Sequence, residues 1–117
     1  MICDPSAVIR EMIASIIKPF GLECLYSLDG KDALKKIERD KDSIELIFAE
    51  TILPSLSGLE LLAQVKKMER QIPLIFVTTE SAKENVVRFL KAGASDFIVK
   101  PFSIQQIQQK IERFIHP

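Results

Sequence analysis

The sequence has no excess of charge of either sign, since sixteen Lys and Arg balance sixteen Asp and Glu. A nucleic-acid binder ordinarily carries a basic face or tail, so that class of partner is not expected. An acidic, solvating tail is missing too. No apolar run is long enough to cross a bilayer; the densest, such as Leu74 to Val77, are strand-sized, and no membrane association is expected. No signal-peptide pattern opens the chain. Cysteine is scarce: Cys3 and Cys24 each lie within an apolar segment and read as two buried thiols of a reducing compartment. A cytoplasmic location is therefore the default expectation. There is no linker, no low-complexity tract and no Walker-type motif. The segment Asp4-Pro5-Ser6-Ala7 lacks the glycines of a phosphate cradle.

What is present is a regular alternation. At 117 residues the chain suits one domain, expected over residues 1–117. Met1-Ile2-Cys3 reads as a short first strand. Ser6 to Lys18 carries Ile9, Met12, Ile13, Ile16 and Ile17, the spacing of a helix with one buried face, ended by Pro19 and Gly21. Leu22 to Ser27 is a second strand, and Asp29-Gly30 turns into a helix marked by Ala33, Leu34 and Ile37. Ile44 to Ala49 is a third strand, Pro54 to Gly58 a loop, and Leu59, Leu62, Val65 and Met68 the stripe of a third helix. Pro73 opens a fourth strand, Leu74 to Val77. Lys83 to Lys91 is a fourth helix stopped by Gly93. Phe97 to Val99 is a fifth strand, and Ile104, Ile107, Ile111 and Ile115 mark a last helix. Strands alternating with helices imply a mostly parallel sheet covered on both faces. The unbroken apolar runs of strands three to five fit burial on both sides.

In open sheets of this kind, sites form beyond the carboxyl ends of the strands. Those ends carry Asp4 and Pro5, Glu50, Thr78 and Thr79, and Lys100 followed by Pro101. Each has an ordinary structural explanation. Asp4 could cap a helix, Thr78 end a strand, Lys100 sit in a solvated turn and Glu50 on the surface. Their convergence is more informative than any one of them. Two carboxylates, a hydroxyl and an ammonium suit carboxyl phosphorylation, in which a carboxylate attacks a phosphoryl group and a divalent cation neutralises the oxygens. Mg²⁺ is typically held by one or two carboxylates with phosphate oxygens and waters.

From Asp4 to Ile115 the chain resembles a response-regulator receiver domain of the single-domain chemotaxis type. The most specific stretch is Ala92-Gly93-Ala94-Ser95-Asp96-Phe97-Ile98-Val99-Lys100-Pro101-Phe102. Leu53-Pro54 with Gly58-Leu59-Glu60-Leu61 resembles the loop after the phosphorylated strand, Val77-Thr78-Thr79-Glu80 the switch-threonine segment, and Asp4, Ser6 and Arg10 the start of the first helix. The resemblance implies a flavodoxin-like α/β fold with five parallel strands in the order 2-1-3-4-5. It implies that Thr78 is the hydroxyl that moves toward the phosphoryl group and Lys100 the lysine that pairs with it, joined to Pro101 by a cis bond. Phe97 stands at the aromatic position that reports activation, and Asp4 is the first of two acidic residues.

Two positions depart from the family pattern. The second acidic residue, a metal ligand in the family, is Pro5. The acceptor position, four residues before Pro54 and eight before Gly58, holds Glu50; shifting by one gives Ala49 or Thr51, so no aspartate is recovered. The expected function is therefore a two-component, phosphorelay-type receiver of atypical, pseudo-receiver kind. It would be no enzyme and would act by protein binding with little or no phosphorylation. Mg²⁺ binding through Asp4 and Glu50 is expected to be weak at most. The resemblance implies a histidine kinase, an output domain or another signalling protein as partner, or a second copy. Its face would be helix four, strand five and helix five, including Val87, Arg88, Lys91, Phe97 and the polar side made by Gln105, Gln106, Gln108 and Gln109. A conventional receiver that phosphorylates Glu50 is the alternative, and a flavin- or nucleotide-binding protein of the same fold a remote one. The brevity of the first strand suggests a piece of a larger regulator.

Overall fold

The computed structural model describes residues 1–115; residues 116 and 117, which the expected domain includes, lie outside the described residues. Five β-α units follow one another: β1 (Ile2–Cys3), α1 (Ala7–Ile17), β2 (Tyr26–Ser27), α2 (Gly30–Asp40), β3 (Ile47–Ala49), α3 (Gly58–Lys66), β4 (Leu74–Thr78), α4 (Lys83–Lys91), β5 (Asp96–Val99) and α5 (Ile104–Phe114). A single turn of 3₁₀ helix, Lys18–Phe20, closes α1. All strand pairs are parallel, and the order across the sheet is β2-β1-β3-β4-β5. This is the flavodoxin-like arrangement.

Strand periodicity assigns the core to two faces. Cys3, Ile47, Ala49, Leu74 and Phe76 pack with Ala33 and Ile37 of α2, Leu61, Leu62 and Val65 of α3, and Phe89 of α4. Ile2, Phe48, Ile75 and Val77 point the other way, onto Ile13, Ile16 and Ile17 of α1 and Ile107 and Ile111 of α5. Both faces are apolar, so alternation was invisible in the sequence although it organises the packing. One residue of the expected α1 stripe departs: Met12 is 46% exposed, and Ala14 takes a buried place. Of the two thiols, Cys3 is buried and burial pushes its pKa up to about 12, whereas Cys24 is only half-buried. Among the described residues no helix is long and apolar enough to cross a membrane.

Strands β2 and β3 are shorter than the apolar runs suggest. Leu22–Leu25 and Ile44–Leu46 lie outside them. At their edge Met1 N donates to Leu46 O (3.0 Å) and Ile2 N to Leu25 O (2.8 Å). Beyond them a cleft of about 660 Å³ opens, lined in part by Leu22, Leu25, Ile44, Leu46 and Ile111.

The loops at the opposite end are fixed by backbone contacts. Gly58 donates to Thr51 O (2.9 Å), and a Cβ there would lie 2.7 Å from Glu50 O. Only glycine permits this approach, which holds the end of β3 against the start of α3. Gly30 donates to Pro54 O (2.9 Å), and the Ser55 hydroxyl donates to Asp29 Oδ1 (3.0 Å) while accepting from the Lys31 N–H (3.1 Å). The β2–α2 and β3–α3 loops are thereby tied together.

Candidate functional site

Asp4, Glu50, Thr78 and Lys100 each follow or end a strand, and parallel pairing brings these ends to one edge of the sheet. Glu50 N donates to Cys3 O (2.9 Å), which sets Glu50 beside the end of β1. Lys100 N donates to Thr78 O (2.7 Å), which extends the β4–β5 ladder to the lysine.

Lys100 is the centre of the site. Its ammonium donates to Asp4 Oδ2 at 2.8 Å and to Glu50 Oε1 at 3.1 Å. All three side chains are largely removed from water, at 14%, 6% and 13% exposure respectively. Burial works to lower the Lys100 pKa, but the bond to Asp4 and the charge and bond of Glu50 outweigh it, so the pKa lies above its usual value. The remaining carboxylate oxygens are also committed. Asp4 Oδ1 accepts from the Ser6 N–H (2.8 Å), and Ser6 is itself the N-cap of α1, its hydroxyl accepting from the Ile9 N–H (3.3 Å). Asp4 thus supports the helix start and pairs with Lys100 at once. Arg10 donates to the Asp4 carbonyl (2.7 Å) rather than to the carboxylate. Glu50 Oε2 accepts from the Thr51 N–H at 2.6 Å.

Thr78 is 1% exposed and Thr79 lies at the surface, so the first of the pair is the inward one. The Thr78 hydroxyl meets the Thr51 hydroxyl at 3.0 Å and accepts from the Glu80 N–H at 3.2 Å. The Lys100–Pro101 bond is cis. Phe97 does not join the outer face of α4, β5 and α5, where the sequence reading put it. Its ring packs inward against Phe89 (5.8 Å between centroids) and Phe76 (6.3 Å), because β5 turns that side toward the α4 side of the core. Val87, Leu90, Val99 and Ile104 are the exposed apolar residues of that region. Of the glutamines of α5, Gln106 is committed to a capping box with Ser103, and Gln108 is half-buried.

These residues do not fit a divalent cation. An ammonium already sits between the two carboxylates, and Pro5 is exposed and has no donor atom in its side chain. Among the described residues no three His, Cys, Asp or Glu side chains cluster as a metal site.

Thr51 is the site residue that sequence reasoning missed, having entered only as an alternative register for the acceptor. A strand continued through Glu50 and Thr51 would send their side chains to opposite faces. The chain bends at Thr51 instead, and its backbone and hydroxyl both turn to the Glu50 carboxylate. No local sequence signal announced that bend.

The profile of the response regulator receiver domain family matches residues 1–112. The chain is 31% identical over 115 residues to the chemotaxis protein CheY1 of Helicobacter pylori, covering 96% of this chain and 92% of that one. It is 32% identical over 118 residues to the chemotaxis protein CheY homolog of Campylobacter jejuni, covering 96% and 88%. The crystal structure of the receiver domain of NtrX from Brucella abortus superposes with a TM-score of 0.86 at 29% identity, over 97% of this chain and 95% of the other.

Proposed function

Because the chain belongs to the response regulator receiver domain family, we propose that it is an atypical two-component receiver, closed by an internal ion pair and working through protein binding rather than through phosphorylation or turnover. The observation that carries this reading is the position of Lys100, whose ammonium is already held by the carboxylate at the acceptor position. By family resemblance this lysine would pair with a phosphoryl group. Here Glu50 supplies negative charge in that group's stead.

The same geometry disfavours Glu50 as a nucleophile. Both of its oxygens are engaged, one by the Lys100 ammonium and one by the Thr51 N–H. Its carboxylate also lies one methylene farther from the backbone than that of aspartate, a displacement of about 1 Å, and misplacement on that scale costs on the order of 100-fold in rate. The lack of a fitting metal site removes a further source of charge neutralisation.

The buried Thr78 and the inward Phe97 correspond, by family resemblance, to an active-like state, and we assign the domain to that state. Its binding face is the surface of α4, β5 and α5, where Val87, Leu90, Val99 and Ile104 are exposed. Its partner is a signalling protein, such as a histidine kinase or an output domain, and the unit that binds is the single receiver domain in the cytoplasm.

Incubation with acetyl phosphate and Mg²⁺ followed by intact-mass measurement is expected to leave the chain unmodified. A stoichiometric phosphoryl adduct at Glu50 would overturn the reading in favour of a conventional receiver.

A further inference from the structure

We infer that Thr51 is a positioning residue that couples the charge of Glu50 to the switch hydroxyl of Thr78 and, through it, to the loop entering α4. This rests on the proposed reading that Glu50 stands in for a phosphoryl group.

Glu50 has no hydrogen bond to Thr78; both meet at Thr51. Thr51 and Thr78 are 6% and 1% exposed, so neither hydroxyl can rely on water. The proton directions then follow from the partners present. Thr78 Oγ1 accepts from the Glu80 N–H, and among the described residues the acceptor for its own proton is Thr51 Oγ1, 3.0 Å away. Having accepted that proton, the Thr51 hydroxyl directs its own to Glu50 Oε2, 3.3 Å away, where the Thr51 N–H also donates. A carboxylate can only accept. The donors therefore all run one way, from the Glu80 amide through two hydroxyls to the negative charge. Such a chain is polarised by its charged end.

A valine at position 51 would keep the branched shape and the N–H contact but break the chain in the middle. The buried Thr78 hydroxyl would lose its acceptor and turn to seek another. The Glu80 amide would then lose its own acceptor, at the entrance to α4, where Glu80 Oε1 accepts from the N–H of Ala82, the residue that caps the helix.

The test is amide hydrogen exchange and backbone chemical shift at Glu80 in the full chain. Thr51→Val is expected to speed exchange of the Glu80 amide at least about tenfold, while Thr51→Ser, which keeps the hydroxyl, stays near wild type. Glu50→Gln, which keeps the shape and removes the charge, is expected to shift the Glu80 resonance in the same direction. In the Thr51→Val background it should add little. The coupling is overturned if Glu80 is unmoved by Thr51→Val, if Thr51→Ser moves it equally, or if the Glu50 and Thr51 effects simply add. Should Thr51→Val fail to fold, the Glu50→Gln shift at Glu80, present in wild type and absent with Thr51→Ala, decides the matter. The exchange experiment uses chain never exposed to a phosphodonor, so a phosphoryl adduct in the acetyl phosphate experiment and an unresponsive Glu80 here are separate failures.

Discussion

Replacing Lys100 by methionine is expected to destabilise the fold by about 3 kcal/mol at neutral pH, a fall in melting temperature of roughly 12 °C. The variant keeps the bulk of the side chain but removes the cation shared by Asp4 and Glu50. Two carboxylates, 6% and 13% exposed, are left without the ammonium that paired with both. Breaking a buried pair from one side costs more than the pair itself contributes, because the partner stays buried and uncompensated. The lower end of the usual range applies, since some exposure remains at all three groups. Glu50→Gln in the same background should recover a large part of the loss by removing one orphaned charge.

The pH dependence gives this prediction a sharper form. The folded-state pKa of Lys100 is raised, so its stabilisation is fully present below the unfolded lysine value, about 10.4, and is lost as pH rises through the folded one. Above that range wild type and Lys100→Met should converge. Urea unfolding at several pH values is thus expected to show a stability difference that is large near neutrality and shrinks as pH rises through the folded-state value of Lys100. A difference independent of pH would mean that Lys100 acts through packing alone.

The second large effect concerns chemistry. Converting Pro5 and Glu50 together to aspartate is expected to raise phosphoryl uptake from acetyl phosphate in Mg²⁺ by at least about 100-fold, read as a phosphoryl adduct by intact mass. Aspartate at position 50 draws the carboxylate back by one methylene and away from the Lys100 ammonium, which is then free for phosphoryl oxygens. Aspartate at position 5 places a third carboxylate beside Asp4, giving a donor set suited to Mg²⁺. Pro5 is exposed and lies before the cap of α1, so the change costs little in folding. Glu50→Asp alone should gain less, because the ligand position remains proline. If the double variant stays unmodified while folded, the block lies elsewhere in the site, and the account given for these two residues fails.

Much of this protein is set locally and can be read from the chain. The spacing of Ile13, Ile16 and Ile17 defines the buried face of α1, and the Ser57–Glu60 and Ser103–Gln106 capping boxes start α3 and α5 where the apolar patterns begin. Alternation of such helices with short apolar runs requires a covered parallel sheet, and that topology requires Asp4, Glu50, Thr78 and Lys100 to meet at one edge. The identities Glu50 and Pro5 are sequence facts, and they already tell against ordinary acceptor chemistry. What lay beyond the sequence depends on partners remote in the chain. The inward turn of Phe97 is decided by Phe76 and Phe89. Whether Glu50 reaches Lys100, and whether Thr51 stands between Glu50 and Thr78, depends on bends and side-chain choices governed by charge, burial and hydrogen-bond satisfaction across separations of 50 and 27 residues. Local pattern fixed which groups would meet; only the folded chain decided how their protons and charges are shared, because those are settled by contacts and not by spacing.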